Sequence, residues 1–483
     1  MTDALPPVTG LMLAGPATPA GEVTVTAPWD GAELATLPTG GAAHVDAALA
    51  VAHALHRDRR QWLPLPERIA ILERTAALMR AQADALAVEA ARDGGKPLVD
   101  SRVEVHRAID GVALCVETIK AEHGDVVPMG MAPSSSHRVA FTAREPIGVV
   151  AAVSAFNHPL NLIVHQVAAA VAAGCPVIVK PADDTPLSCL RFVSLLREAG
   201  LPNGWCQVLI ANSLAVAEAL VTDARVAFFS FIGSARVGWM LRSKLAPGTR
   251  CALEHGGAAP VIVAADADET LTLDALTKGG FYHAGQVCVS VQRVFAPRAS
   301  ARDFAAALAA RAGTLTIGDP TRADTDVGPL IRHAEVKRVH DWVREALDGG
   351  AESLSGAQPV SDSCYACTVL LDPPEAARVS QQEVFGPVVC VYGYDAIDEA
   401  IARANQLDVA FQAAVFTASL DTALHAWRQL DGSAVMVNDH TAFRIDGMPF
   451  AGLRHSGLGV GGIGHTIRDM QIDKMLVMRS SAL

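Results

Sequence analysis

The sequence has no excess of basic side chains. Its 39 Lys and Arg stand against 51 Asp and Glu, a net charge of −12 at pH 7. That balance argues against nucleic acid as a partner. A small anionic ligand stays open, because a local arginine cluster can oppose the global field. The N-terminus, Met1-Thr-Asp-Ala-Leu-Pro-Pro7, has no basic stretch followed by an apolar core, so no secretory signal is legible. No clean apolar run is long enough for a membrane span. Leu160 to Val179 comes nearest, but Asn161, His165, Gln166 and Gly174 interrupt it, and it reads as helix plus strand. A disulfide framework is missing too. Nine cysteines, an odd number scattered over the chain, fit a reducing cytoplasm. Cys364-Tyr-Ala-Cys367 has metal or redox spacing without a second pair or a nearby histidine, so no metal is expected. No internal repeat stands out.

What is present describes an ordered globular protein. With 483 residues, 51% apolar and 19% charged, the chain has room for two to three domains with buried cores. Residues 1–42 are rich in Gly, Pro and Thr, with short β-like pieces such as Glu22 to Thr26. From Ala43 to Asp93 apolar residues recur at three- and four-residue steps (Ile69, Leu72, Ala76, Met79, Ala83, Leu86), a helical pattern ended by Gly94, Gly95 and Pro97. A second helix is expected over about Asp100 to Ala121. Arg138 to Glu145 alternates and ends at Pro146, as a strand does. From Ile147 the chain alternates β and α: strands at Ile147–Val153, Pro176–Lys180, Gln207–Ile210, Ala227–Phe231 and Cys251–Glu254, with helical segments between. Alternation of this kind marks a doubly wound parallel sheet, which binds ligands beyond the carboxyl ends of its strands. Asn157, Lys180, Gly233 and Glu254 all fall at or just after such ends. A second α/β unit opens at Val261-Ile-Val263.

The chemistry concentrates around Phe281-Tyr-His-Ala-Gly-Gln-Val-Cys288, where a cysteine follows a glycine turn and leads into a β-rich run, Val287 to Phe295. A nucleophile at such a junction meets substrate while its backbone stays fixed. Three further stretches accompany it: Ala155-Phe-Asn157-His-Pro159, Leu253-Glu254-His-Gly-Gly257 and Gln382-Glu383-Val-Phe385-Gly-Pro387. Taken in this order and at these spacings, they resemble the aldehyde dehydrogenase superfamily, with further matches from about Arg144 to Gly459. The family's cysteine motif is roughly Gly-Gln-x-Cys, its base motif Leu-Glu-Leu-Gly-Gly and its ribose motif Glu-x-Phe-Gly-Pro.

The resemblance implies an α/β fold in three parts. A Rossmann-type dinucleotide-binding domain would comprise residues 1–123 and 146–256, and an α/β catalytic domain residues 257–446. A small β oligomerisation element would comprise the hairpin 124–145 and the tail strand 465–483, making a homodimer or homotetramer. It also implies roles. Cys288 would attack the aldehyde carbonyl, giving a thiohemiacetal and then a thioester. The Asn157 amide, with the Cys288 backbone N–H, would hold the oxyanion. Glu254 would activate water for thioester hydrolysis. The cofactor would be NAD, with NADP also allowed. No Gly-x-Gly-x-x-Gly follows a strand in the usual way. Instead Phe231-Ile-Gly233-Ser234 resembles the family's Phe-Thr-Gly-Ser variant, which would meet the pyrophosphate at a helix N-terminus. Lys180 would bond the adenosine ribose, and Asp183 would pair with its 2′-hydroxyl and disfavour NADP. Glu383 and Phe385 match the pair that holds the nicotinamide ribose and ring. The family has an apolar residue where this chain has His255, whose side chain alternation turns away from Glu254, toward packing.

For the substrate, Arg107, His158, Arg444 and Phe450 are the candidate contacts. The run Asn438-Asp-His-Thr-Ala-Phe443-Arg-Ile-Asp-Gly-Met-Pro-Phe450 looks like that of branches acting on lactaldehyde, glyceraldehyde 3-phosphate and phosphonoacetaldehyde. Arginine suits an anionic group through its planar fork. Some relatives that accept phosphate or phosphonate carry a basic residue just before the catalytic cysteine; here it is Val287, which counts against a doubly charged substrate. Three other outcomes stand beside acid formation. A CoA-acylating dehydrogenase would typically lack the base, which Glu254 supplies here. A redox-dead scaffold would not need Cys288, Asn157, Glu254 and Glu383 together. A cysteine hydrolase would need a histidine on Cys288, for which His283 is nearest in sequence.

Overall fold

A computed structural model of the chain describes residues 5–8, 10–211 and 213–483. Its first sheet is built from the alternating segment. Five parallel strands, β1 (Val149–Val153), β2 (Val177–Lys180), β3 (Cys206–Val208), β4 (Val226–Ile232) and β5 (Arg250–Glu254), lie in the order β5-β4-β1-β2-β3. Gly457–Leu458 adds an antiparallel edge beside β5. The physical reason is visible in β1, where every residue is buried. Successive side chains of a strand point to opposite faces. Val150 and Ala152 accordingly join one apolar layer, and Val149, Ala151 and Val153 the other. Such a strand needs helices on both faces.

The winding reverses at β1. From it the chain runs outward through β2 and β3, then returns to β1's other side as β4. The crevice at that reversal is where doubly wound sheets take ligands.

A second sheet has seven strands, β6 (Ala259–Val263), β7 (Val291–Pro297), β8 (Glu352–Ser355), β9 (Thr368–Leu371), β10 (Val388–Tyr394), β11 (Gln412–Phe416) and β12 (Ala434–Val437). Their order is β8-β9-β10-β7-β6-β11-β12, all parallel except the edge strand β8. Only four residues join β5 to β6. The functional stretches therefore enter the same region from opposite sheets: Asn157, Asp183 and Gly233 follow strands of the first, while Cys288 and Glu383 precede β7 and β10 of the second. A third, three-stranded sheet pairs Arg138–Pro146 with Val126–Val127 on one side and with the tail strand Gln471–Arg479 on the other, in continuous antiparallel register.

Several boundaries differ from the sequence reading. The helical stretch 43–93 is three helices, Ala42–Arg57, Leu65–Ala81 and Ala83–Gly94. Pro64 and Pro66 set the start of the second, since proline is tolerated only in a helix's first turn. Gly95, at φ 72°, closes the third with a left-handed cap. The segment after β1 is helical from Asn161 but widens to a π-turn over Val164–Ala168. The β-run after Cys288 begins pairing only at Val291. No helix among the described residues is long and apolar enough to cross a membrane.

Candidate active site

Cys288 sits on a turn with unusual backbone. His283, Ala284 and Gly285 have φ of 47°, 53° and 70°, three consecutive left-handed residues. Two of them are not glycine, and left-handed conformations in ordinary residues cluster at functional sites. Gly285 is required for a further reason. A Cβ there would stand 2.1 Å from the carbonyl oxygen of Gly386, so the cysteine turn touches the Phe385-Gly386-Pro387 turn directly. Gln286 braces the turn from inside, accepting from the Ile331 N–H at 2.9 Å and donating to the Pro329 carbonyl at 3.2 Å.

One cleft of about 990 Å³ gathers every residue named for the site. Lys180, Asp183, Gly233 and Ser234 line one arm. Arg107, His158, Tyr282, Lys278, Arg444 and Phe450 line the other. Cys288, Asn157, Glu254, Glu383 and Phe385 line it too, and the charges of Glu254, Glu383 and Arg444 act on the Cys288 thiol.

Asn157 is buried, and its Nδ2 donates to the Gln286 carbonyl at 2.9 Å. One amide hydrogen is thus fixed to the cysteine turn, which leaves the other for the cleft. Burial pushes the Cys288 thiol up to about 12; Glu383 and Glu254 push the same way, while Arg444 opposes them. The Glu254 carboxyl is raised by burial and drawn back by Arg444. Glu383 is raised to about 8, chiefly by burial, with Arg338 and the Gly257 N–H opposing. Its Oε1 has no hydrogen-bond partner among the described residues.

In the first arm, Lys180 Nζ lies 2.5 Å from Asp183 Oδ1, so the two residues expected on the adenosine ribose hold each other. Gly233 donates to the Glu254 carbonyl at 3.0 Å, and His255 Nδ1 donates to the Gly233 carbonyl at 2.9 Å. His255 is buried edge-on against Phe231 and Trp239, the packing role expected of it. Ser234 precedes the helix Ala235–Arg242, whose first turn has no side-chain cap.

In the second arm the two arginines differ. Arg107 presents Nε and Nη2 to Asp446 at 3.0 and 2.8 Å, so this expected anchor lines the cleft with its charge already paired. Arg444 stands over the Phe450 ring, 3.6 Å from its centroid, and its buried Nε and Nη2 have no partner among the described residues. Phe450 is buried beneath it against Phe411. His158 is buried, with Nε2 3.3 Å from the Tyr282 hydroxyl, and burial together with nearby Lys96 and Arg107 holds its pKa well below the usual histidine range. Both ring nitrogens of His283 lack partners among the described residues, so no hydrogen bond links it to the thiol, as a cysteine hydrolase would need.

Sequence reasoning missed the supports. Gln166, on the π-turn, bonds the carbonyls of Val153 and Ser230 at 3.2 and 3.1 Å, fixing β1 to β4 at the winding reversal. Glu104 accepts from the Leu160 and Asn161 N–H groups and pairs with buried Lys96. Asp446 collects Arg107, Asn161 and His165. Asp446 stood in the run read for the substrate, whereas Gln166 was legible only as a break in an apolar run and Glu104 only as part of a helix.

Comparison with known proteins places the whole chain among relatives of one family. The chain is 38% identical over 433 residues to a 3-sulfolactaldehyde dehydrogenase of Priestia megaterium, covering 90% of each. Aldehyde dehydrogenase 21 from Physcomitrella patens, solved with the reaction product succinate, superposes with a TM-score of 0.94 at 31% identity, over 99% of both chains. Glyceraldehyde-3-phosphate dehydrogenase GapN from Methanocaldococcus jannaschii, complexed with NADP, gives 0.91 at 31% identity, over 95% of this chain and 100% of its own. The model of the aldehyde dehydrogenase family matches residues 16–476. With that match added to the site's geometry, the chain belongs to the aldehyde dehydrogenase family.

Proposed function

We propose that the protein oxidises a small anionic aldehyde to its carboxylic acid, with Cys288 as nucleophile, Glu254 as base and Arg444 as the anchor for the substrate's charge. The observation that carries this reading is the unpartnered guanidinium of Arg444, which shares one cleft with Cys288 and Glu254 and is electrostatically coupled to both. Buried guanidinium N–H groups without an acceptor are costly, and an anionic ligand that accepts from them removes that cost. The similar 3-sulfolactaldehyde dehydrogenase and the aldehyde dehydrogenase solved with its product succinate are consistent with it.

The residues around the first arm fit a nicotinamide dinucleotide. The uncapped helix start at Ala235 offers free N–H groups to a pyrophosphate, Lys180 and Asp183 stand at the end of β2, and the orphaned Oε1 of Glu383 awaits a hydroxyl donor. The dinucleotide supplies the hydride acceptor. Asp183, with its carboxylate at the ribose end, supports preference for NAD over NADP.

The protein's own groups then act in order. The Cys288 thiol gives its proton to water, its sulfur bonds the aldehyde carbon, and the second Asn157 amide hydrogen and the Cys288 N–H take the oxyanion. Loss of hydride leaves a thioester. Glu254 removes a proton from water, which attacks the thioester carbon; the acid departs and the thiol re-forms. Residues 1–123 and 146–256 would form the cofactor domain and 257–446 the catalytic domain. The exposed tail strand, with Met475, Leu476, Val477 and Met478 all more than two-fifths exposed, supports assembly with further copies through the 124–145 and 465–483 element.

The test is NADH formation across succinate semialdehyde, lactaldehyde, benzaldehyde and hexanal, each with NAD and NADP and with and without CoA. Wild type should favour the anion with NAD and need no CoA. Arg444→Met should raise KM for succinate semialdehyde by about tenfold or more, as loss of a charged hydrogen bond does, and leave hexanal nearly unchanged. Equal effects on both would remove the anchor; a strict need for CoA would remove hydrolysis.

A further inference from the structure

His255 departs from its motif, which carries an apolar residue in that position, and packing alone would be served by one. The imidazole is bonded as well as packed. It follows Glu254 at the end of β5, is 2% exposed, and donates from Nδ1 to the Gly233 carbonyl at 2.9 Å. A carbonyl only accepts, so the ring proton sits on Nδ1. The Gly233 N–H donates in turn to the Glu254 carbonyl at 3.0 Å. Residues 254 and 255 thus grip Gly233 by both of its polar groups. The ring fills a notch that Gly238 leaves on the helix Ala235–Arg242, where a Cβ would stand 2.1 Å from its Cε1. Phe231 and Trp239 meet it edge-on, with centroids 5.6 and 5.8 Å away. The His255 backbone N–H donates to the Ser456 carbonyl at 3.0 Å, which fixes the chain that carries the ring.

The consequence lies in the next peptide. The C=O and N–H of a trans peptide point to opposite sides of its plane. With the Gly233 oxygen drawn to the buried imidazole, the Ser234 N–H of the same peptide is turned the other way. Ser234 lines the cleft, ahead of the uncapped start of the helix. We propose that His255 is a positioning residue for the dinucleotide: its Nδ1–H locks the Gly233–Ser234 peptide in the orientation that presents this loop to the pyrophosphate. The proposal rests on the cofactor reading given above. Without the imidazole proton the Gly233 carbonyl loses its donor, and the peptide is free to turn its oxygen toward water.

The experiment is calorimetric titration of the whole protein with NAD, ADP-ribose and AMP; ADP-ribose keeps the pyrophosphate and AMP lacks it. His255→Leu fills the notch but has no donor. It should weaken NAD and ADP-ribose about three- to tenfold, the worth of one hydrogen bond, and leave AMP within about twofold. His255→Asn, whose Nδ2 lies about where the imidazole Nδ1 lies, should bring NAD and ADP-ribose back to within about twofold of wild type. Packing alone predicts the reverse order, since leucine fills the space better than asparagine does. Unchanged NAD and ADP-ribose binding in His255→Leu overturns the proposal. So does an asparagine variant no better than the leucine one, or an equal loss for AMP. If His255→Leu fails to fold, Gly238→Ala decides, because its Cβ would push the ring off Gly233. It should weaken ADP-ribose and spare AMP, and normal ADP-ribose binding overturns the proposal. A wild type that binds none of NAD, NADP and ADP-ribose removes the cofactor reading and the clamp with it. Wild-type NAD binding that His255→Leu leaves unaltered removes the clamp alone.

Discussion

Glu383 Oε1 occupies the space in which a side chain at position 256 would begin: a Cβ on Gly256 would stand 1.6 Å from it. The base motif and the ribose motif, 126 residues apart by their numbers 257 and 383, are therefore fitted to each other through one glycine, with the Gly257 N–H also favouring the carboxylate. Gly256→Ala should displace the Glu383 carboxylate. Because Glu383 is assigned to the cofactor, the variant should raise the Kd for NAD by about three- to tenfold, the worth of one hydrogen bond, with little change in KM for aldehyde. Calorimetric titration with NAD measures this directly. An unchanged Kd would detach Glu383 from the cofactor.

The thiol of Cys288 is pushed up to about 12 before any ligand binds, with Glu383 and Glu254 adding to burial and Arg444 opposing them. Only the thiolate is alkylated, so iodoacetamide should label Cys288 slowly at pH 7, and the rate should climb through pH 10 without a plateau. The sign of each neighbour follows. Glu383→Gln removes a negative charge and should speed labelling at pH 9, where Glu383, at about 8, is otherwise ionised. Arg444→Met should slow it. Peptide mapping of the labelled site separates Cys288 from the eight other free thiols, seven of which are buried. A plateau below pH 9 would contradict the electrostatics.

Lys180 and Asp183 hold each other at 2.5 Å in a part-exposed pair at the end of β2. Asp183→Ala removes the carboxylate that would repel a 2′-phosphate and releases the lysine charge toward it. The ratio of kcat/KM for NADP to that for NAD should rise by about tenfold, the scale of one charge interaction near a surface. Steady-state rates with each cofactor at fixed aldehyde give the ratio. No change would mean that cofactor choice is made elsewhere.

The strands of the first sheet and the place of Cys288 at a turn were legible because they have local signatures. β-strands at Val149–Val153 and Val177–Lys180 are short apolar runs bounded by turns, and the motifs lie at their ends. What stayed hidden has no local signature. Arg107 reads as a free cation in sequence, yet its partner Asp446 is 339 positions away, and His165 and Asn161 reach the same carboxylate across 281 and 285. Nor could periodicity show the π-turn at Val164–Ala168, since its apolar pattern suits an α-helix equally well. That turn aims His165 and Gln166 inward, and both serve the site.

Glu254 offers the sharpest kinetic test, because its proposed role falls after hydride loss. In Glu254→Gln the first turnover should still release NADH, since attack by Cys288 does not use this carboxylate. Hydrolysis should slow by about a hundredfold or more, the usual worth of a general base. Stopped-flow absorbance should then show a burst of one NADH per site followed by a near-stall, with acylated Cys288 visible by intact mass. The pH dependence fixes the group. A base acts deprotonated, so kcat should fall as pH drops through its pKa, which burial raises above the ordinary glutamate value. Arg444 lowers that pKa, and so Arg444→Met should move the acid limb of kcat to higher pH for a neutral aldehyde that does not need the anchor. An unmoved limb, or a variant with no burst, would assign the proton to another group.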